Sequence, residues 1–274
     1  MAKTIVITGA SDGIGAAAAR RLHRNGHRVV VVGRSVDKTA AIARELSADH
    51  YTADFANLAE VRALAAELDR VYPRIDVLAN NAGGIFGADA KTCDGFEITF
   101  QVNHLAPFLL TNLLLDKLSD CNAAIIQTSS VGARAFGRLD LTNLQHDRGF
   151  TPLRAYGSAK LANILFTKEL HQRHGSRGIA TAAFHPGLVA TSFAANTVSL
   201  MRRVYSSRVG RAFLTSPDQG ADQLVWLAEG TPGTDWASGA YYEKHRPAKR
   251  VNPQVLDANL ARRLWDHSAE LIGD

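Results

Sequence analysis

Short β-branched runs alternate with longer stretches of helical period along most of the chain. This alternation is typical of βαβ units wound into a parallel sheet, because a parallel strand can be reached only through a long crossover connection. The predicted strands cover residues 4–9, 28–33, 50–54, 76–81, 123–130, 179–187 and 239–243. The predicted helices lie at about 14–25, 37–47, 57–71, 96–118, 154–174, 217–229 and 253–271. We therefore predict an α/β fold with a seven-stranded, mostly parallel sheet flanked by helices.

One stretch of the chain lacks this alternation. Residues 188–216 carry Arg202, Arg203, Arg208 and Arg211 among apolar residues, without a long helical or strand pattern. Two interpretations fit this composition: a mobile loop that covers the substrate, or a solvated excursion with amphipathic packing. The 274 residues suffice for one large α/β domain and are few for two. We predict a single domain over residues 1–274, with the excursion at about 188–216 as a substrate loop.

Two of the predicted helices have clear N-terminal signals. Ser216 precedes Pro217 and Asn252 precedes Pro253. A serine or asparagine side chain can accept a hydrogen bond from the first turn, and proline is well suited to the first helical position. Each pair therefore predicts the start of a helix.

The charge and composition of the chain exclude several classes of function. The formal net charge of +5 comes from basic residues scattered among acidic ones, without the interleaved aromatic residues of a base-stacking surface, so nucleic-acid binding is not expected. The two cysteines stand in unrelated contexts, and His171 and His174 lack a third ligand, so no metal site is expected. The first strand begins almost at once, and the longest apolar stretch, residues 105–115, is about half of a membrane span. We expect a cytoplasmic protein without a membrane anchor.

A glycine-rich turn follows the first predicted strand. The sequence TGASDGIG occupies residues 8–15 and leads directly into a helix. Gly9 permits a sharp turn, Gly13 permits close approach of a pyrophosphate, and Gly15 permits the helix to pack closely on the strand. We therefore predict a dinucleotide site of the Rossmann type, within a doubly wound sheet, bordered by the whole turn. Its contacts are predicted to be Gly9, Ser11, Asp12, Gly13, Ile14 and Gly15.

The end of the second predicted strand indicates which dinucleotide is bound. A carboxylate there would accept a hydrogen bond from the ribose 2′-hydroxyl of NAD, but this chain has Gly33 and Arg34 in that place. A guanidinium favours a 2′-phosphate, and Lys38 adds to the positive charge. The sequence thus favours NADP(H). Asp12 acts against this preference, because its charge would repel a phosphate, and an NAD-linked enzyme stays as the alternative.

Beyond the turn, the chain resembles the short-chain dehydrogenase/reductase family over nearly its whole length. The motifs that carry the resemblance are NNAG at 80–83, the segment around Asn103, TSS at 128–130, YGSAK at 156–160 and HPGLVAT at 185–191. The sequences at 102–115, 155–170, 238–244 and 263–273 resemble the retinol-dehydrogenase-like branch, as does the interval of 26 positions from Ser130 to Tyr156. The resemblance implies the Rossmann-type fold, an oxidoreductase activity and association into a homodimer or homotetramer.

By this resemblance, the catalytic residues are Asn103, Ser130, Tyr156 and Lys160. Tyr156 and Lys160 are four residues apart, so a helix places both side chains on one face. A free tyrosine has a pKa near 10, which is too high for an efficient acid at neutral pH, and an adjacent ammonium stabilises the phenolate. Ser130 is chosen over Ser129 because the family's serine usually precedes small residues such as Val131 and Gly132.

The other expected cofactor contacts lie where predicted strands end, since open α/β sheets bind ligands at the carboxyl ends of their strands. Asp54 and Phe55 are expected to border the adenine. The expected contacts of the nucleotide cleft are Asn81, Ala82, Gly83, Tyr156 and Lys160. The expected contacts of the carboxamide end are Pro186, Gly187, Val189 and Thr191.

Together these features predict an NADP(H)-dependent oxidoreductase that interconverts an alcohol and a carbonyl on a fairly apolar small-molecule substrate. Tyr156 is the expected general acid and base. The alternative from another class is a catalytically idle NADP-binding sensor or scaffold protein. Such a protein would need neither Tyr156 nor Lys160.

Overall fold

The computed structural model describes residues 2–87, 89–187 and 215–273, which form one eight-stranded sheet with helices on both faces. The strands are β1 (Thr4–Thr8), β2 (Arg28–Gly33), β3 (Asp49–Thr52), β4 (Val77–Asn80), β5 (Ala124–Thr128), β6 (Ala180–Phe184), β7 (Ala240–Glu243) and β8 (Arg246–Pro247). Their order is β3-β2-β1-β4-β5-β6-β7-β8, and every pair is parallel except β7 and β8. The predicted doubly wound α/β fold is confirmed.

The winding places a crevice beside β1. The chain first moves outward from β1 to β3, then returns to pair β4 with the opposite side of β1. The connections that follow β1 and β4 therefore leave the sheet in opposite directions. Ligands of open α/β sheets bind at such a switch point, outside the carboxyl ends of the strands.

The helices cover both faces of the sheet. They are α1 (Gly13–Arg24), α2 (Val36–Leu46), α3 (Leu58–Val71), α4 (Ile98–Phe100), α5 (Ala106–Leu113), α6 (Leu115–Asp120), α7 (Gly132–Ala135), α8 (Pro152–His174), α9 (Pro217–Glu229) and α10 (Ala258–Ile272). A π-helical turn spans Gln101–Leu105, and short 3₁₀ turns span Gly175–Arg177 and Pro253–Leu256.

The two faces of the sheet form two hydrophobic cores, because successive strand residues point to opposite sides. Val6 of β1 packs with α3, α5, α8 and α10, whereas Ile5 and Ile7 pack with α1, α2 and α9. All three side chains are fully buried. This two-sided burial explains why the inner strands read as continuous β-branched runs.

The structure corrects three details of the sequence prediction. The sheet has an eighth strand, β8, which consists of only two residues and is too short to produce a sequence pattern. The predicted helix at 96–118 is divided by the π-helical turn and by Leu114, whose φ and ψ of −100° and 4° are not helical. Asn252 caps a 3₁₀ turn, and Asp257 caps the helix that follows.

The prediction at Ser216 is confirmed in full. Its side chain accepts from the Gln219 amide, and the Gln219 side chain accepts from the Ser216 amide, which is a reciprocal capping box. Of the predicted substrate loop at about 188–216, residues 188–214 lie outside the described residues. Among the residues that the structure does describe, none of the helices has the length and apolar character that a membrane span requires.

Candidate active site

The glycine-rich turn leaves β1 at the switch point and enters α1. Gly9 and Gly13 have φ values of 66° and 54°, a region that residues with a side chain rarely adopt. A Cβ on Gly9 would lie 2.8 Å from the Ala82 Cα, and one on Gly15 would overlap the Gly9 carbonyl oxygen. The turn therefore requires glycine at these positions, both for its path and for its close contact with the chain after β4.

Thr8 and Asn81 hold the two sides of the switch point together. The Thr8 hydroxyl accepts from the Asn81 and Ala82 amides, each at 3.0 Å. The Asn81 side chain donates to the Thr8 carbonyl at 3.0 Å and accepts from the Thr128 hydroxyl at 3.1 Å. These bonds fix the carboxyl ends of β1, β4 and β5 relative to one another.

A cleft of about 550 Å³ runs along these carboxyl ends. At one end it is lined by Gly9, Ser11, Asp12, Gly13, Ile14, Val32, Gly33, Arg34, Ser35, Lys38, Ala53, Asp54 and Phe55. Its centre is lined by Asn81, Ala82, Gly83, Gly84, Thr128, Ser129, Ser130, Lys160, Pro186 and Gly187. At the other end it is lined by Ile85, Phe86, Val102, Val131, Gly132, Phe136, Leu153 and Tyr156. Most of the predicted cofactor contacts are thus brought together in one cleft.

The remaining predicted site residues are placed differently. Gly15 and Asn103 do not line the cleft; both are buried directly behind it. Val189 and Thr191 lie outside the described residues. Within residues 2–87, 89–187 and 215–273, no cluster of three or more histidine, cysteine, aspartate or glutamate side chains could hold a metal ion.

The end of the cleft beside β2 combines both signs of charge. Arg34 is exposed, and the Lys38 ammonium forms an ion pair of 2.9 Å with the Asp12 carboxylate. Asp12 also caps α1, since its other carboxylate oxygen accepts from the Gly13 amide at 2.7 Å. Asp12 therefore offsets part of the positive charge that Arg34 and Lys38 bring to this end.

Helix α8 presents Tyr156 and Lys160 to the cleft on one face. Lys160 is 2% exposed, and its ammonium donates to the Thr128 carbonyl at 2.9 Å. The ammonium lies 5.7 Å from the centroid of the Tyr156 ring. Burial lowers the pKa of Lys160 from its ordinary 10.5 to about 7, because the charged form loses its hydration.

Asn103 lies in the π-helical turn, with its side-chain amide fully buried and bonded on both sides. Its nitrogen donates to the Gly84 and Thr99 carbonyls at 2.9 Å, and its oxygen accepts from the Gly84 amide at 3.1 Å. A Cβ on Gly83 would lie 2.5 Å from that oxygen and 3.0 Å from the Lys160 ammonium nitrogen. Asn103 and Lys160 thus flank the same glycine, so they approach each other behind the cleft wall. Single π-turns inside α-helices are frequent at functional sites.

The two serines after β5 have different environments. The Ser129 side chain is buried and donates to the Lys160 carbonyl at 2.8 Å, so it fastens the strand end to α8. The Ser130 hydroxyl is part of the cleft wall and accepts from the Gly132 amide at 3.1 Å. A Cβ on Gly132 would lie 3.2 Å from Tyr156 Cε1 and 3.4 Å from Ser130 Oγ. Ser130 and Tyr156 therefore face one another across that glycine.

His185, at the end of β6, supports the chain that follows Ser130. Its Nδ1 accepts from the Val131 amide at 3.2 Å. Burial, and secondarily the nearby Arg134 guanidinium, lower the pKa of His185 to about 4. The imidazole is therefore neutral at pH 7 and can accept this bond.

Sequence reasoning missed the apolar end of the cleft. Ile85, Phe86, Val102, Phe136 and Leu153 form its aromatic and aliphatic wall. Phe136 is 48% exposed, which is unusual for a large aromatic residue. These residues come from separate loops and helices, so no local pattern joins them. In the sequence, the nearest signal for this wall is Phe136, which stands shortly after the TSS motif at 128–130.

The residues of the cleft fit a dinucleotide. Gly9, Gly13 and Gly83 line the cleft without side chains, so a phosphate or a ring can approach the backbone closely there. The volume lies within the usual range for small-molecule sites, about 300 to 1,000 Å³. The turn into α1 also brings the positive end of a helix dipole to the glycine-lined end of the cleft.

Known proteins similar to this chain show the family to which it belongs. The family model for short chain dehydrogenases matches residues 3–201. The chain is 41% identical to a candidate daunorubicin C-13 ketoreductase of Streptomyces sp. (strain C5), over 99% of this chain and 93% of that protein. It is 37% identical to retinol dehydrogenase 13 of Homo sapiens, over 99% of this chain and 85% of that protein.

A solved structure shares the fold over nearly the whole chain. An uncharacterized protein from Mycobacterium Paratuberculosis has a crystal structure that matches with a TM-score of 0.79 and 32% identity, over 99% of this chain and 93% of that one. Proteins of this group bind a nicotinamide nucleotide. The cleft, the glycine-rich turn and the relatives all give one answer: the chain is an oxidoreductase of the short-chain dehydrogenase family and belongs to its retinol-dehydrogenase-like branch.

Proposed function

We propose that this enzyme interconverts an alcohol and a carbonyl, either an aldehyde or a ketone, on a fairly apolar small molecule, with NADP(H) as the hydride carrier. One observation carries the proposal: Tyr156 and Lys160 lie on α8 where a charged, glycine-lined half of the cleft meets an apolar half. A dinucleotide suits the first half and an apolar substrate the second.

Tyr156 acts as the general acid in the direction of reduction. When bound, the nicotinamide supplies the hydride. The Tyr156 hydroxyl gives its proton to the substrate oxygen as that oxygen becomes an alkoxide, and takes a proton back in the reverse direction. Positioned acids of this kind contribute about 10²- to 10⁴-fold to a rate.

Lys160 makes this proton available. An ammonium near a phenol favours the ionised phenolate electrostatically, and the interaction is strong in a buried site because little solvent screens it. The bond from Lys160 to the Thr128 carbonyl fixes the ammonium where it acts on Tyr156. Lys160 also lies in the cleft wall, within reach of a nicotinamide ribose.

Ser130 and Asn103 complete the catalytic group. The Ser130 hydroxyl faces the Tyr156 ring across Gly132 and can donate to the substrate oxygen beside the phenol. Asn103 lies behind the Gly83 wall, on the side of Lys160, and holds a water that links the ammonium to solvent. These are the roles that the resemblance to the family implies.

The cofactor lies along the carboxyl ends of the strands. In this proposal the pyrophosphate meets Gly9, Ser11, Asp12, Gly13, Ile14 and Gly15, and the adenine meets Asp54 and Phe55. The rest of the nucleotide meets Asn81, Ala82, Gly83, Tyr156 and Lys160, and the carboxamide meets Pro186, Gly187, Val189 and Thr191.

The preference for NADP(H) rests on the charges beside β2. Exposed Arg34 and the Lys38 ammonium can both pair with a 2′-phosphate. The second candidate is an NAD-linked enzyme, and the ion pair between Asp12 and Lys38 favours it. We propose NADP(H) because the guanidinium of Arg34 is available to a phosphate, while a 2′-hydroxyl would need an acceptor that Gly33 does not provide.

The substrate is uncharged near its reacting carbon. The cleft wall beyond Tyr156 is aromatic and aliphatic among the described residues, so a charged group would lose its hydration there without a partner. The names of the two relatives record a ketone substrate and an alcohol substrate, retinol. We further propose that the enzyme acts in the cytoplasm, as a homodimer or homotetramer.

A substrate panel tests the proposal. Apolar aldehydes, ketones and alcohols are incubated with NADPH, NADH and their oxidised forms, and turnover is read from the absorbance of the reduced nicotinamide. We expect turnover of apolar carbonyl compounds, with kcat/KM higher for NADPH than for NADH. Higher kcat/KM with NADH would support the NAD-linked candidate.

The variant Tyr156→Phe distinguishes the proposed enzyme from a catalytically idle NADP-binding protein. The variant is expected to lose about 10²- to 10⁴-fold in kcat and to retain NADPH binding, read by nicotinamide fluorescence. Tyr72→Phe is the matched control, because the Tyr72 hydroxyl bonds Asp49 at the opposite edge of the sheet. Equal turnover in the wild type and Tyr156→Phe would refute the proposed chemistry.

A further inference from the structure

The chain that carries Ser130 has little structure of its own. We call residues 130–139 the active-site loop; it contains α7, a single helical turn, and Phe136 of the apolar wall. A helix of one turn is unstable alone, and the carbonyls at its C-terminus have no partners within it. The position of Ser130 and Phe136 therefore depends on what holds this loop.

Asn252 holds the middle of the active-site loop. Its side-chain nitrogen donates to the Ala133 carbonyl at 2.9 Å and to the Gly137 carbonyl at 2.8 Å. Its side-chain oxygen accepts from the Gln254 amide at 3.0 Å. Asn252 is only 7% exposed, and its bond to the Ala133 carbonyl is fully buried. The cap predicted from the sequence thus serves a second element, more than a hundred residues away along the chain.

Gln254 holds the end of the same loop. Its amide nitrogen donates to the Leu139 carbonyl at 2.9 Å, and its oxygen accepts from the Leu139 amide at 2.9 Å. The Gln254 side chain thus satisfies both the donor and the acceptor of the Leu139 backbone, as the backbone of a neighbouring β-strand would. The Arg134 guanidinium adds a bond of 3.3 Å to the Arg250 carbonyl, so the segment 250–254 contacts the loop at several points.

The opposite side of the loop rests on the catalytic helix. The Ser158 hydroxyl donates to the Arg138 carbonyl at 2.8 Å and accepts from the Arg138 amide at 3.2 Å. A Cβ on Gly157 would lie 2.7 Å from the Gly137 nitrogen, so glycine is needed for this close packing. The loop is therefore enclosed between α8 and the segment 250–254.

We propose that Asn252 and Gln254 are positioning residues for the reaction: by holding the backbone of the active-site loop, they set where the Ser130 hydroxyl and the Phe136 ring meet the substrate. This inference rests on the proposed function. Neither side chain lines the cleft, so both act through the loop.

Asn252→Asp tests the inference with almost no change of shape. The carboxylate still accepts from the Gln254 amide, but it presents lone pairs instead of hydrogens to the Ala133 and Gly137 carbonyls. We expect kcat/KM for the carbonyl substrate to fall about tenfold to a hundredfold, as a displaced reacting group predicts. The Kd for NADPH is expected to stay within about twofold, since the loop contacts the substrate half of the cleft.

Gln254→Glu provides a milder second variant. It keeps the acceptor for the Leu139 amide and loses the donor to the Leu139 carbonyl, so a smaller fall in the same kinetic quantity is expected. Asp257→Ala is the matched control. It removes the cap of α10, a bond of 2.9 Å to the Leu260 amide, in the same part of the chain, but does not contact the loop. We expect it to lower Tm and leave kcat/KM unchanged.

Hydrogen–deuterium exchange measures the loop without reference to turnover. Peptides covering 131–139 are expected to exchange faster in Asn252→Asp than in the wild type, and Asp257→Ala is expected to leave them unchanged. An active Asn252→Asp protein with wild-type kcat/KM, or with unchanged exchange in these peptides, would overturn the inference alone. A wild-type protein without turnover on any carbonyl or alcohol would overturn the proposed function and this inference together.

Discussion

The Lys160 ammonium, buried in the wall of the cleft, donates its hydrogen bond to the Thr128 carbonyl at 2.9 Å. Thr128 is the last residue of β5, so the bond joins the catalytic helix to the strand end that Ser129 and Ser130 follow. Burying the charged lysine lowers the free energy of unfolding, while the same ammonium is proposed to promote proton transfer by Tyr156. The two effects can be measured separately.

Lys160→Met is expected to raise Tm at pH 6 and to lower turnover. The pKa of Lys160 is lowered to about 7 in the folded protein, so between about pH 7 and 10 the unfolded chain binds more protons and stability rises with pH. Below pH 7 the buried charge is present in full. Each pH unit between about 7 and 10 then reduces the cost of burying Lys160 by about 1.4 kcal/mol. The gain in Tm on replacement by Met should therefore be largest at pH 6 and smaller at pH 9.

Thermal denaturation of both proteins from pH 6 to pH 9 checks this prediction. Lys168→Met is the control on the same helix, because the half-buried Lys168 ammonium donates to the Val255 carbonyl at 2.7 Å. It is expected to lose stability. A gain in Tm for Lys160→Met that is equal at pH 6 and pH 9 would contradict the assignment of the cost to a buried charge.

Ser130→Ala is expected to lower kcat, whereas Ser129→Ala is expected to lower stability. Ser130 lines the cleft, so its loss should lower kcat while Tm stays near that of the wild type. Ser129 makes a buried bond to the Lys160 carbonyl, so its loss should cost about 1 to 3 kcal/mol of stability. Steady-state kinetics and thermal denaturation of the two variants distinguish the roles. A larger fall in kcat for Ser129→Ala would exchange the assignments.

Gly83→Ala is expected to displace the groups behind the cleft wall. The new Cβ would lie 2.5 Å from Asn103 Oδ1, closer than real Cβ contacts allow, and 3.0 Å from the Lys160 ammonium nitrogen, which is a tight contact. We expect kcat to fall about a hundredfold, as for a small misplacement of reacting groups. Gly84→Ala is the control, because its Cβ would meet only the Phe86 ring at 3.6 Å, an ordinary contact. Equal kinetics for the two variants would argue against a role of this wall.

Asp12→Asn is expected to increase the preference for NADPH over NADH. The amide oxygen can still accept from the Gly13 amide, but the charge that pairs with Lys38 at 2.9 Å is gone. Both partners are about half exposed, so the ion pair is worth about 0 to 1 kcal/mol and its loss should leave Tm nearly unchanged. Titration of each variant with NADPH and NADH gives the ratio of Kd values.

Asp37→Asn is the control for that experiment, because it removes the same charge from the first turn of α2. We expect a smaller change in the ratio than in Asp12→Asn. If the ratio is the same in the wild type and Asp12→Asn, Asp12 does not oppose a 2′-phosphate. Lys38→Met should then be used to ask whether this end of the cleft discriminates at all.

The sequence predicts those parts of the molecule that local patterns determine. The four-residue spacing of Tyr156 and Lys160 places them on one helix face, and the structure has them there. The mostly parallel pairing of the strands follows from the alternation of strand and helix, because parallel strands need crossover connections. The start of α9 follows from Ser216 standing directly before Pro217.

Other features depend on contacts between distant residues and leave no local pattern. The second role of Asn252 is invisible in the sequence because Ala133 and Gly137 lie more than a hundred positions away. The apolar wall joins Phe86, Phe136 and Leu153 from three separate segments. The π-helical turn at Asn103 changes the helical phase by one residue, and nothing in the residues around it marks that change.

The two-residue strand β8 has a consequence for how copies of this protein can meet. It ends at Pro247, which has no amide hydrogen, and both of its residues are exposed. A strand from another molecule that approached this edge would find one hydrogen-bond donor fewer and the charged Arg246 beside it. The border of the sheet at β8 therefore resists continuation into a second molecule, which protects the native protein from edge-to-edge aggregation at this border.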